Sequence, residues 1–210
     1  MSVETLKTGT TTVGIKTKDA VILASEKRAT MGHIIAHTHV QKVFSISDNI
    51  GMTIAGLVGD AQLMVRFLQS EVELYSMKRG AQMSVGAAAT LVANVIRQGF
   101  YLGLIVGGVD TKGGHVYSID GAGGCIEDNY VSVGSGSLFA LGVLEGKYKE
   151  NMTEDEGIDV AISALNSAIR RDSASGDGML ITIINKKGTK ELSEETIRTR
   201  AAELGFRYPN

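Results

Sequence analysis

With 210 residues, 21 basic and 23 acidic side chains, the chain can build one sizeable core and lacks the basic excess of a nucleic-acid or membrane-surface protein. Its lone cysteine, Cys125, excludes an internal disulfide and suits a reducing, cytoplasmic setting. Residues 1–9 hold no apolar run and do not read as a secretory signal, and the longest uncharged stretch, Gly80 to Ile96, is too polar and short to span a bilayer.

Thr10–Thr17 and Ala20–Glu26 read as strands joined by Lys18-Asp19, the second continuously apolar from Ala20 to Ala24, as a strand covered on both faces would be. Thr10-Thr11-Thr12 is, by itself, an ordinary β-branched strand opening. Lys42–Ile46 and Gly51–Ala55 follow as strands around the turn-like Ser47-Asp48-Asn49. Four strands before any helix indicate an antiparallel sheet.

The period then changes. Ala61, Val65, Leu68, Val72 and Tyr75 mark an amphipathic helix between Leu57 and Met77, and Ser84–Gln98 is a second helix rich in small residues. Leu104–Val109 and His115–Ile119 form a strand pair about a turn at Asp110–Gly114, and Tyr130–Val133 is a further strand ending in Gly134-Ser135-Gly136-Ser137. Helices follow at about Leu138–Tyr148 and at Glu154–Arg171. The second opens on the capping box Thr153 to Glu156 and carries an apolar stripe of Ile158, Ala161, Ile162, Leu165, Ala168 and Ile169. Met179–Ile184 and Thr189–Leu192 make a last strand pair, and Ser193 caps a terminal helix reaching about Leu204. Strands, two helices, strands, two helices, strands, helix is the order of an α+β protein with two stacked antiparallel sheets between helical layers, a four-layer α-β-β-α sandwich. It lacks the regular alternation of a doubly wound parallel fold.

Several chemistries fail on spacing. His33, His37 and His39 have metal-like intervals, but no Cys, Asp or Glu lies between Thr30 and Gln41, so loop histidines are the better reading. Neither Gly121-Ala122-Gly123-Gly124 nor Gly134-Ser135-Gly136-Ser137 is followed by the Lys of a phosphate loop. A serine-hydrolase elbow needs glycine two residues before its serine, where Ser135 has Val133 and Ser175 has Ser173. Cys125, with no motif around it, is a small packed residue or a loop thiol. No cofactor or metal is expected.

What remains is a set of blocks in a fixed order: Thr10-Thr11-Thr12-Val13-Gly14-Ile15, Ala24-Ser25-Glu26-Lys27-Arg28, Lys42-Val43-Phe44, Gly51–Asp60, Gly134-Ser135-Gly136-Ser137 and Arg171-Asp172-Ser173-Ala174-Ser175-Gly176. In these the chain resembles the catalytic β subunits of the proteasome, best of all the archaeal type, which are N-terminal nucleophile hydrolases. The resemblance runs from Thr10 to the terminal helix. It departs only at Arg97–Ile105, which looks a few residues short, away from any expected catalytic position.

The resemblance implies a threonine endopeptidase. Residues 1–9 would be a leader cut autocatalytically between Gly9 and Thr10, leaving residues 10–210 as one peptidase domain. Freed Thr10 would be the nucleophile and its own α-amine, titrating near 7.7–8.0, the base; while Gly9 is attached that nitrogen is a non-basic amide. Lys42 would be the cation beside Thr10, Glu26 its carboxylate partner, and Ser135, Asp172 and Ser175 the hydrogen-bond network around the amine. Gly56 N–H would serve as oxyanion donor. Ala29, Thr30, Val40, Phe44, Ile54 and Val58 would form an apolar specificity pocket, giving cleavage mainly after hydrophobic residues. Thr11 and Thr12 keep the plain strand reading. By the same resemblance the expected partners are other β subunits in a heptameric ring, α-subunit rings completing a twenty-eight-subunit core, an ATPase ring and unfolded polypeptides. The competing readings are a catalytically dead ring subunit, a small-molecule amidohydrolase with an N-terminal nucleophile, and the peptidase of the bacterial two-ring ATP-dependent protease, which is usually shorter.

Overall fold

All seven residues of Ala20–Glu26 are buried, and the computed structural model, which describes residues 9–208, gives the reason. This strand is β2, at the centre of a sheet covered on both sides. Ala20, Ile22 and Ala24 pack toward helices, while Val21 and Leu23 pack toward a second sheet. A period of two with apolar residues on both faces produces an unbroken apolar run.

In chain order the elements are β1 (Thr11–Lys16), β2 (Ala20–Glu26), β3 (Ala29–Met31), β4 (Ile34–His37), β5 (Val43–Ser45), β6 (Ile50–Gly56), α1 (Val58–Arg79), α2 (Val85–Ile96), β7 (Leu102–Asp110), β8 (Gly113–Ile119), β9 (Cys125–Glu127), β10 (Tyr130–Gly134), α3 (Ser137–Lys147), α4 (Glu154–Arg171), β11 (Met179–Asn185), β12 (Gly188–Glu191) and α5 (Glu194–Glu203). Among the described residues the strands form one antiparallel sheet in the order β10-β1-β2-β11-β12, a second in the order β5-β6-β7-β8-β9, and a separate ribbon, β3-β4.

Three apolar layers hold these sheets. Ile50, Met52, Ile54 and Leu104 meet Leu68, Val92 and Ile96 of α1 and α2. Val13, Ile15 and Ile22 meet Ala140, Leu144, Ile158 and Leu165 of α3 and α4, with Ile197 of α5 closing the same cluster. Val21, Leu23, Ile105, Val116 and Ile184 fill the space between the sheets. Each large aliphatic side chain so buried contributes about 1.5–3 kcal/mol relative to exposure. The chain is thus α+β, a four-layer sandwich of helices, sheet, sheet and helices.

The α4 capping box is present: Thr153 Oγ1 accepts from Glu156 N–H at 3.2 Å and Glu156 Oε2 accepts from Thr153 N–H at 2.7 Å. With Arg170 and Arg171 in its last turn, α4 is fixed at both ends, and its C-cap is Asp172.

Three expectations need correction. Six strands, not four, precede the first helix, because Ala29–Met31 and Ile34–His37 pair as a ribbon. Its Met31, Ile34 and Ile35 are all exposed, so no buried face imprints an alternation on the sequence. Of the two readings of Cys125 the loop thiol fails, since it lies on a strand, β9, too short to announce itself, while the packed one holds, since it is half-buried against the α1–α2 core cluster. The loop reading of His37 also fails, since it ends β4.

Candidate active site

Antiparallel pairing brings the start of β1 beside the end of β2: Thr12 faces Ser25, so Thr10 and Glu26 lie at the same rim of the sheet. Lys42 precedes β5 and reaches the rim from the other sheet. All three are buried, Glu26 completely. Lys42 Nζ donates to Thr10 Oγ1 at 3.0 Å, and also to Glu26 Oε1 and to the Arg28 carbonyl. Thr10 Oγ1 in turn donates to the Gly9 carbonyl oxygen at 2.6 Å.

Glu26 accepts from four donors. Besides Lys42, it takes the N–H groups of Thr11 at 3.2 Å, Arg28 at 2.7 Å and Gly176 at 3.1 Å. A protonated carboxyl would aim its own hydrogen at a donor, so the arrangement suits the carboxylate. Burial pushes the Glu26 pKa above the ordinary value, offset by Lys42 and by these N–H bonds. Burial likewise lowers the Lys42 amine below the usual lysine value, with Glu26 opposing the shift. The site therefore holds an amine whose proton is easier to lose than that of a solvated lysine.

A second arm reaches Thr10 from its nitrogen side. Thr10 N–H donates to Ser135 Oγ at 3.1 Å, Ser135 Oγ donates to Asp172 Oδ2 at 2.6 Å, and Ser175 Oγ donates to the same oxygen at 2.7 Å. Ser135 sits in the turn between β10 and α3, and Asp172 is set by the end of α4, where its N–H bonds Ala168 O at 2.7 Å. Ser175 Oγ also lies 2.7 Å from Thr11 Oγ1. Thr11 thus joins this network in addition to opening the strand, and its plain strand reading was incomplete.

The loop that supplies Asp172, Ser175 and Gly176 is tied to β2 by Arg28. That guanidinium binds Asp177 at 2.7 and 3.1 Å and the Ser173 carbonyl at 2.9 Å. Sequence reasoning did not find this tie; the Arg28-to-Asp177 separation carries no local signal.

Gly56 ends β6 with φ of 139°, a region L side chains rarely adopt, and a Cβ there would lie 2.5 Å from the Tyr101 carbonyl oxygen. The departing Arg97–Ile105 segment therefore abuts the expected oxyanion position. Beside Gly56 and Thr10 opens a cavity of about 450 Å³. Ala29, Thr30, Val40, Phe44, Ile54 and Val58, the six expected specificity residues, all line it. Ala36, His37, His39, Gln41, Ala61 and Gln62 line it as well and were missed. The β3-β4 ribbon brings the histidines there, and its existence was the missing signal. Among the described residues no three His, Cys, Asp or Glu side chains converge to hold a metal.

A family model described as "Proteasome subunit" matches residues 6–184. The "Proteasome subunit beta" of Methanocorpusculum labreanum is 54% identical over 197 residues, covering 91% of this chain and 93% of that protein. That of Methanosphaerula palustris is 52% identical over 206 residues, with 96% and 97% covered. That of Thermoplasma acidophilum is 50% identical over 208 residues, with 97% and 98% covered.

Proposed function

The chain belongs to the proteasome subunit family, on its archaeal β side, and from that premise we propose that it is a catalytic subunit: a threonine endopeptidase activated by cutting its own leader after Gly9. One observation carries the reading. Thr10 Oγ1 is held between the Lys42 ammonium at 3.0 Å and the Gly9 carbonyl at 2.6 Å, a hydroxyl placed against both a cation and the acyl group it would attack.

Self-cleavage then proceeds by attack of Thr10 Oγ1 on the Gly9 carbonyl carbon. The step needs Lys42 as the neutral amine, a form its lowered pKa makes accessible: that amine takes the hydroxyl proton, and the resulting ammonium passes a proton to the Thr10 nitrogen as the C–N bond breaks, giving an ester on Oγ1 and a free amine. Water hydrolyses the ester, releasing the leader with a Gly9 carboxylate and restoring the hydroxyl. Residues 1–8 of that leader lie outside the described residues. In the processed chain the α-amine is the base for Thr10 Oγ1, Lys42 lowers the pKa of both, and Glu26 orients Lys42. The Ser135–Asp172–Ser175 chain steadies the amine. Gly56 N–H receives the developing oxyanion, worth about 2.7–4 kcal/mol for a well-aimed donor. The apolar cavity takes a hydrophobic side chain from an unfolded polypeptide.

On this reading the subunit assembles into β rings stacked between α rings, is fed by an ATPase ring, and works in the cytoplasm. Enclosing Thr10 in a chamber makes a protease of broad specificity tolerable there. No helix among the described residues is long and apolar enough to cross a membrane.

The test is the intact mass of the assembled protein, wild type beside Thr10→Ala. Wild type should lose residues 1–9, and the variant should keep them and hydrolyse no peptide. A wild type that retains its leader yet cleaves peptides would refute the mechanism; one that retains it and is inert is a structural ring subunit.

A further inference from the structure

Gly9 is held by its backbone alone. Its N–H donates to Thr30 Oγ1 at 3.0 Å, and Thr30, on β3, is only 6% exposed. A Cβ built on Gly9 would lie 1.9 Å from Ala174 Cβ and 3.0 Å from Ser135 Oγ. An L-residue in this backbone pose would drive its side chain into the Asp172–Asp177 loop, not into the apolar cavity. The pose seen for Gly9 is therefore closed to any residue that uses the cavity, and such a residue must rotate to point its side chain there.

We propose that the Thr30 side-chain hydroxyl is a positioning residue for self-cleavage. It takes the place of the cavity's grip for a leader residue that has no side chain to offer, and it keeps the Gly9 carbonyl against Thr10 Oγ1. The inference rests on the peptidase reading above and adds a division of labour to it. The apolar side chains of the cavity seat substrate residues, and the oxygen of Thr30, on the cavity wall, seats the leader. Thr30 makes and breaks no bond. It limits rotation of the acyl residue while Thr10 Oγ1 closes on the carbonyl carbon, so its effect falls on the rate of ester formation.

The hydroxyl and the methyl of Thr30 can be separated. Thr30→Val keeps the shape and removes the acceptor, leaving the buried Gly9 N–H without a partner; Thr30→Ser keeps the acceptor and removes the methyl. Leader removal is followed by intact mass at intervals after synthesis and assembly. Peptide hydrolysis is measured on the same samples per freed Thr10. Thr30→Val should slow leader removal about tenfold, as expected for an orphaned buried donor, and by more than it lowers hydrolysis. Thr30→Ser should remove its leader within about threefold of the wild-type rate. Thr30→Ala should be as slow as Thr30→Val, and stands in for it if that variant does not assemble. Wild-type rates in Thr30→Val or Thr30→Ala would overturn the proposal, as would a Thr30→Ser as slow as Thr30→Val, because packing would then explain the effect. A wild type that keeps its leader overturns the peptidase reading itself, and the proposal with it.

Discussion

Glu26→Gln removes one charge with almost no change of shape, and the structure fixes what that does. Glu26 Oε1 accepts from Lys42 and Thr11 N–H, and Oε2 from Arg28 and Gly176 N–H. The amide of glutamine replaces one of these oxygens by a donor, so whichever way it turns, two buried donors lose an acceptor. At about 1–3 kcal/mol for each orphaned group, the cost is roughly 2–6 kcal/mol, a large part of the 5–15 kcal/mol typical of a folded domain. The melting temperature should fall by at least about 4 °C at 2–4 °C per kcal/mol. Lys42 also loses the carboxylate that opposes its desolvation, so its pKa falls further and less of the cation remains beside Thr10. Turnover of a fluorogenic peptide per freed Thr10 should drop roughly hundredfold, the low end for loss of one preorganised electrostatic contact at a reacting atom. A Glu26→Gln protein that melts like wild type and turns over within threefold of it would refute this account of the carboxylate.

The cavity lining contains no acidic side chain and has Lys42 at its edge, so peptides ending in Leu or Tyr should be cleaved faster than one ending in Arg; the reverse order of kcat/KM would sink the specificity assignment. The Lys42 shift makes a separate prediction for stability. Its folded pKa lies below the ordinary 10.5, so between those two values the unfolded chain binds more protons, and stability rises with pH over that window. Lys42→Met removes this contribution. Unfolding free energies measured as pH rises toward 10.5 should diverge in favour of wild type, and a constant difference would contradict the direction of the shift.

The layered fold was legible because its cores imprint periods on the chain. The buried positions of α4 and the two-faced run of β2 are such imprints, and the Thr153–Glu156 box marks a helix start by local chemistry alone. The β3-β4 ribbon left no imprint, since its large apolar side chains face solvent. With the ribbon missed, Ala36, His37 and His39 could not be assigned to the cavity. That the candidate site residues come together was to be expected only through resemblance. Glu26, Lys42, Ser135 and Asp172 are each unremarkable in their own stretch, and what joins them is strand pairing and the end of a helix, which no local pattern encodes. Thr11 shows the opposite limit: its β-branched side chain fits the strand, and its bond to Ser175 depends on a loop far along the chain.

Gly9 attachment and site organisation coexist in this structure, and on the proposed reading that bears on how activation would work. Ser135 Oγ already accepts from the Thr10 nitrogen, Lys42 already touches Thr10 Oγ1, and Asp172 already holds both serines while Gly9 is in place. On the proposed reading, cutting the Gly9–Thr10 bond needs no rearrangement of these partners. It changes one property, the basicity of a nitrogen, from an amide that cannot take a proton to an amine that can. A latch of that kind predicts that the hydrogen-bond network is the same before and after cleavage. It also explains why the residues that build it come from both sheets: a site fixed by two packed layers is rigid before its last chemical group becomes available, and the step that supplies that group is carried out by the site itself.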